Sequence, residues 1–171
     1  MNPFGHPDPL LKLNLRIRNG SPADHPRILS FMPEWWGGRD LSHSLLKLFF
    51  IHFQDTIFIA EKDSELAGFL VGFFSQSRPK EAYIHLLAVH PNLRKKGIAR
   101  ALYECFFDVC RTKGRSLIRA CTSPVNKVSI EFHRKMGFRI EPGEKEIDGF
   151  PVTVNYLRDN DPKVLFTKSL G

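Results

Sequence analysis

Ile98, Leu102, Phe106 and Val109 recur at steps of four, four and three, which predicts one face of a long amphipathic helix. Arg111 and Lys113 sit near its end, where cations suit the helix dipole, and Gly114 is a natural terminator. The stretch before it, EAYIHLLAV (81–89), is near-continuously apolar, as expected of a central strand covered on both faces. KLNLRIR (12–18) alternates apolar and polar positions and predicts a first strand. SPADHPRILSFM predicts a helix with Ser21 at the N-cap and Pro22 at the first helical position. GGRD then breaks the chain, and LSHSLLKLFFIHF (41–53) predicts a second, strongly apolar helix. TIFIAEKDSELAGFLVGFFSQ predicts a hairpin turning at Asp63-Ser64. SLIRACT (116–122) is a further strand. SPVNKVSIEFHRKMGF is a further helix, with Val125, Ser129, Phe132 and Met136 on one side and Gly137 as its stop. FRI, FPVTVNYL and KVLFTKSL add short strands around the polar loop RDNDP. The order β-α-α-β-β-β-α-β-α-β-β describes one mixed α/β domain over 1–171, with the proline-rich 1–10 as an N-terminal arm.

Composition narrows the partners. The 42% apolar and 25% charged residues are ordinary for a folded soluble protein, and fifteen phenylalanines imply a well-filled interior. A net charge of +7 points to an anionic partner, yet no basic block is longer than Arg94–Lys96. That favours a local anion site over a nucleic-acid tail. Cys105, Cys110 and Cys121 are odd in number and lack C-x-x-C spacing, which suits a reducing compartment and no thiolate metal site. The seven histidines show no H-x-x-x-H pair, so no metal is expected. The opening MNPFGHPDPLLKLNL lacks the charge and apolar run of a signal peptide, and no apolar run is long enough to span a bilayer. The expectation is a cytoplasmic protein without membrane attachment.

The most informative stretch is AVHPNLRKKGIARALYECFF. A strand runs into a basic, glycine-containing turn that opens a helix. Helix N-termini offer unpaired N–H groups and positive dipole to an anion, and a glycine allows its close approach. A basic surface turn with glycine for geometry alone is the plain alternative. The common nucleotide patterns G-x-x-x-x-G-K-[ST] and G-x-G-x-x-G are absent.

LAVHPNLRKKGIARAL resembles the acyl-CoA-binding motif of the GNAT superfamily of N-acetyltransferases, R/Q-x-x-G-x-G/A, with Arg94, Gly97 and Ala99 at its three positions. SPVNKVSIEFHRKMGF resembles the family's second region, N-x-x-[AS]-x-x-F-Y-x-x-x-G-F. The resemblance implies a GNAT-type mixed α/β fold: a mostly antiparallel central sheet, a splayed parallel pair formed by the fourth and fifth strands, and flanking helices. It implies acetyl-CoA as acyl donor. The backbone of Leu87 and Val89 would pair with the pantetheine arm, and the turn of Arg94, Lys95, Lys96, Gly97, Ile98, Ala99 and Arg100 would hold the diphosphate. An N–H near Leu87 would polarise the thioester carbonyl. Asn126 matches an asparagine that touches the pantetheine or strand backbone, with N-capping as its other role. The acceptor amine would attack directly in a ternary complex, leaving Cys121 to packing.

Proton transfer needs groups that titrate near the working pH. Where family members often carry a glutamate on the central strand this chain has His85, and where many carry a tyrosine it has His133. Histidine can serve both roles, His133 as acid and His85 as direct or water-relayed base. Tyr156 is a substitute acid. MPEWWGGRD supplies Glu34, Trp35, Trp36 and Asp40 as acceptor-binding candidates, since ring faces and carboxylates hold cationic amines. Asp159 and Asp161 could add to them, Arg39 could bind a carboxylate, and each aromatic could equally fill core. The resulting expectation is an acetyl-CoA-dependent N-acetyltransferase acting on a primary amine of a small molecule or peptide, with a homodimer suggested by the family. The rival readings are a CoA-binding GNAT fold without catalysis and a basic nucleic-acid or ribosome-binding module, the latter lacking any nucleic-acid signature.

Overall fold

A computed structural model of the chain describes residues 14–36 and 41–171. The N-terminal arm, Arg39 and Asp40 lie outside the described residues. Nine strands and four α-helices are assigned among those described: β1 (Leu15–Asn19), α1 (Asp24–Trp35), α2 (Lys47–His52), β2 (Ile57–Lys62), β3 (Glu65–Phe74), β4 (Glu81–Val89), α3 (Ile98–Thr112), β5 (Leu117–Thr122), α4 (Lys127–Lys135), β6 (Arg139–Ile140), β7 (Lys145–Ile147), β8 (Phe150–Val152) and β9 (Val164–Ser169). They group into two units, one of residues 1–73 and 86–109, the other of 74–85 and 110–171.

In the first unit the strands run in the order β1-β2-β3-β4. β1 and β2 are antiparallel with Leu15 opposite Lys62, and β2 and β3 are antiparallel with a bulge between Ala60 and Glu61. The turn between β2 and β3 places Asp63 and Ser64 at φ 51° and 67°, a conformation those short polar side chains tolerate. Ile28, Met32, Trp35, Leu45, Phe50, Ile57, Ile59, Phe69 and Val71 form its core. α3 buries Ile98, Leu102, Tyr103, Phe106 and Phe107 as the periodicity requires.

Two local readings change. The first helix begins at Asp24 rather than Pro22, because the Asp24 carboxylate accepts hydrogen bonds from Ser21 N (2.8 Å) and Ser21 Oγ (2.9 Å), holding Ser21–Ala23 in a turn. The region 41–53 is a 3-10 turn at Ser42–Ser44 followed by the six-residue α2. Leu46 between them is extended, which lets Leu45 and Phe50 both enter the core while Leu46, Leu48 and Ile51 stay exposed.

In the second unit the order is β4-β5-β9-β6, with β7-β8 a separate hairpin. β4 and β5 are parallel, in register from Glu81↔Leu117 to Ile84↔Ala120. β5–β9, β6–β9 and β7–β8 are antiparallel. Ile118, Ala120, Ile130, Val152, Val164 and Phe166 are buried. α4 starts after Asn126, whose side-chain oxygen accepts from Ser129 N at 3.2 Å, and stops before Gly137 at φ 81°. Its inward face is Ile130 and His133, not the expected line through Val125, which is 65% exposed. The fold is thus mixed α/β with the parallel β4–β5 pair expected.

Candidate active site

Each unit carries its own candidate site residues. In the first, β4 ends at Val89 and His90 leads into a 3-10 turn at Pro91–Leu93, where His90 Nδ1 accepts from Asn92 N at 3.2 Å. Lys95 and Gly97 then take left-handed backbone conformations, φ 62° and 88°. Gly97 does this without strain, whereas a lysine does so only where its surroundings hold it. α3 starts at once, Ala101 N donating to Gly97 O at 3.0 Å, and buried Ile98 pins the first turn. Arg94, Lys95, Lys96, Gly97 and Arg100 are exposed and Ala99 is half-buried. The chain therefore displays the unpaired amides at the start of a fifteen-residue helix amid cationic side chains, an arrangement suited to a diphosphate.

Arg94 is engaged within its own unit. Nη2 donates to Trp35 O at 2.6 Å and Nε to Val89 O at 3.3 Å. Trp35 is buried at 3% exposure, against the expectation of an acceptor-binding ring, and it stacks on Phe31 and Phe69 and meets His90 edge-on at 5.5 Å. Trp36 packs against Phe69 at 5.9 Å and is half-buried, while Glu34 is exposed. Leu87 is half-buried and Val89 buried along β4.

The second unit holds the candidate proton carriers. His85 is half-buried at the residue that follows Ile84, the last of the paired stretch of β4. Two residues earlier, Tyr83 interacts through its hydroxyl with the Cys121 thiol and the Tyr156 hydroxyl. Burial pushes all three pKa values upward, so the tyrosines stay protonated and able to donate. This cluster was not evident from sequence. Its signal is the alternation that puts Tyr83 and His85 on one face of the strand. His133 is 5% exposed, Nδ1–H donates to Ser129 O at 2.8 Å, and the ring stacks on Phe166 at 4.3 Å. Burial pushes its pKa down to about 4, the Ser129 hydrogen bond opposing this. Asn126 spends its oxygen on the α4 cap. Asp161 pairs with Arg158 at 3.0 Å and with Lys163, and Asp159 is exposed. Among the described residues no cluster of three metal-ligating side chains occurs, and no helix is long and apolar enough to cross a membrane.

Known proteins share this architecture. An uncharacterized N-acetyltransferase of Methanocaldococcus jannaschii is 30% identical over 98 residues, covering 55% of this chain and 42% of that protein. The chain thus spans less than half the length of that curated relative. The crystal structure of Ard1 from Thermoplasma volcanium superposes with a TM-score of 0.75 at 22% identity, covering 92% of this chain and 99% of that one. The diaminobutyrate acetyltransferase EctA from Paenibacillus lautus, in complex with L-2,4-diaminobutyric acid and coenzyme A, gives a TM-score of 0.67 at 23% identity, covering 91% and 94%. The model of the acetyltransferase (GNAT) family matches residues 25–138, a span that includes β4, the basic turn and α4, and the chain belongs to that family.

Proposed function

We propose that the protein is an acetyl-CoA-dependent N-acetyltransferase that acetylates a primary amine of a small molecule or peptide by direct attack in a ternary complex. The observation that carries this reading is the turn 94–99: left-handed Lys95 and Gly97 aim the amides that open α3 outward between exposed lysines. Such a turn fits a diphosphate, and family membership makes coenzyme A the ligand that supplies one. Lys95, Lys96, Gly97, Ile98, Ala99 and Arg100 hold that end. The backbone of Leu87 and Val89 pairs with the pantetheine arm, with Asn126 as a further contact through its side-chain amide. The donor brings an activated thioester, and the protein's own groups orient it and move protons.

His85 takes the acceptor's proton, directly or through a water, since histidine as a residue type exchanges protons near neutrality. Tyr156, still 37% exposed and with its pKa raised by partial desolvation near Tyr83, returns one to the departing thiolate. His133 stays neutral at pH 7 and shapes the second unit from inside. Glu34 and Trp36 stand on the acceptor side, with Asp40 outside the described residues. L-2,4-diaminobutyric acid, bound by EctA, is a reasonable first acceptor to offer.

Calorimetry with CoA, followed by release of free thiol from acetyl-CoA with a panel of diaminobutyrate, polyamines, aminoglycosides, amino acids and peptide N-termini, tests the reading. Lys95→Glu with Lys96→Glu should weaken CoA binding by at least about tenfold, the scale of one charge-assisted contact. Wild-type protein that gives no heat with CoA rules the function out, and binding without thiol release leaves only a CoA-binding fold.

A further inference from the structure

At the C-terminal end of α1, Trp36 N donates back to Met32 O at 3.2 Å and to Glu34 O, and the carbonyl of Trp35 is met by a side chain from elsewhere in the chain. Its last turn contains no basic side chain. The carbonyl of the last helical residue has no donor within the helix and carries the negative end of the dipole. Arg94, 59 residues further along the chain, supplies what is missing: its guanidinium donates to Trp35 O at 2.6 Å. Nε of the same group donates to Val89 O at 3.3 Å, so one planar cation ties the last residue of α1 to the last residue of β4. The Trp35 indole is fixed on the same segment, edge-on to His90 at 5.5 Å and stacked on Phe69 at 6.4 Å.

We infer that Arg94 is a positioning residue for the acceptor-side segment Glu34–Trp36 and not a ligand of the diphosphate. This rests on the functional reading above, in which the turn that begins with Arg94 binds CoA through its amides and lysines. A guanidinium fits the task because two of its donors diverge at a fixed angle, one to each carbonyl, where an ammonium on a flexible stem reaches one. The end of α1 is thereby held by the same six-residue turn that takes the donor, and ordering that turn with CoA also orders Glu34–Trp36.

Trp35 and Trp36 are the chain's two tryptophans, so intrinsic emission reports on this place alone. The test compares wild type, Arg94→Ala and Arg94→Lys by CoA calorimetry, tryptophan emission with acrylamide quenching, and far-ultraviolet circular dichroism. Arg94→Ala should bind CoA within threefold of wild type while its emission shifts to the red and quenches more readily. Arg94→Lys, which can keep the Trp35 contact, should restore most of the emission. A loss of CoA affinity beyond threefold, or unchanged emission in Arg94→Ala, overturns the inference. Should Arg94→Ala not fold, Arg94→Gln is read by the same two criteria. Wild type that fails to bind CoA overturns the functional reading and the positioning role together, whereas unshifted emission with normal CoA binding overturns the positioning role alone.

Discussion

The imidazole of His133 lies flat on the ring of Phe166, centroids 4.3 Å apart and planes 5° from parallel. Its Nδ1–H is committed to the carbonyl of Ser129 one turn back on α4. Protonation would place a cation between aromatic surfaces with almost no access to water, and burial holds the pKa near 4 against the ordinary 6.5. The folded protein therefore binds fewer protons than the unfolded chain between those values. Stability is complete above about pH 6.5, falls as the pH drops toward 4, and loses about 2 kcal/mol from this group by pH 5. Urea unfolding of wild type and His133→Leu at pH 7 and pH 5 checks this. The variant starts less stable, but its loss between the two pH values should be smaller by about that amount. An equal loss in both proteins refutes it.

Gly68 on β3 faces the end of β4. A Cβ there would stand 2.9 Å from Ala88 O and 3.4 Å from side-chain carbons of Ile98 and Val89. The obstructing atom is backbone, so relief requires moving the strand just where it enters the basic turn. Gly68→Ala should cost about 1–3 kcal/mol, the usual range for overpacking, and weaken CoA binding at the same time. Urea midpoints and calorimetry on the one variant measure both. Lost stability with undisturbed CoA affinity would show that β4 can shift without carrying the turn with it.

Features with a local cause were legible in the sequence. β4 at 81–89 and α3 at 98–112 follow from apolar continuity and a 3.6-residue period, and the turn between them from three cations and a glycine. What escaped depends on partners distant along the chain. The hydrogen bond from Arg94 to the carbonyl of Trp35 joins residues 59 apart, which no local pattern announces. Trp35 and Trp36 read alike, and packing against Phe31, Phe69 and His90 distinguishes the buried ring from its half-buried neighbour. His133 suggests an acid because it stands where the resembled family carries a tyrosine, and its burial against Phe166, which lowers its pKa, is set by a residue 33 positions away. The break at Leu46 was hidden because both halves of 41–53 are apolar, so pattern alone could not say which leucines face inward.

Arg18 holds together the entry to α1. It donates to both carboxylate oxygens of Asp24 at 2.7 and 2.8 Å and to both of Glu61 at 2.9 and 3.3 Å. Burial alone would raise the Asp24 pKa, but the Arg18 and Ser21 hydrogen bonds outweigh it and hold the carboxyl below its usual range. That stabilisation is present above the ordinary carboxylate pKa and fades as the pH falls through the folded value. Arg18→Met strands the 4%-exposed Asp24 and should cost about 3 kcal/mol at pH 7. Asp24→Asn added to Arg18→Met should recover part of it, since the stranded charge is gone. A double-mutant cycle by urea unfolding measures this, and strictly additive losses would show that the pair does not act as a unit.

Tyr83 links β4 to the loop that carries Tyr156. Its hydroxyl interacts with Cys121 and Tyr156, and burial raises its pKa, so it remains a proton donor at any pH at which the enzyme would work. If Tyr156 protonates the leaving thiolate, Tyr83 fixes the orientation of that hydroxyl, and removing either oxygen should damage one step. Tyr83→Phe and Tyr156→Phe are each expected to lower kcat by about a hundredfold, the low end for loss of a general acid, with CoA affinity unchanged. The double variant should be little worse than either single, because groups that act as a unit do not contribute additively. Thiol release with an acceptor from the panel, measured across pH, provides the values. A Tyr156→Phe variant of normal kcat would remove the tyrosine pair from the proton path and leave His85 to carry both transfers.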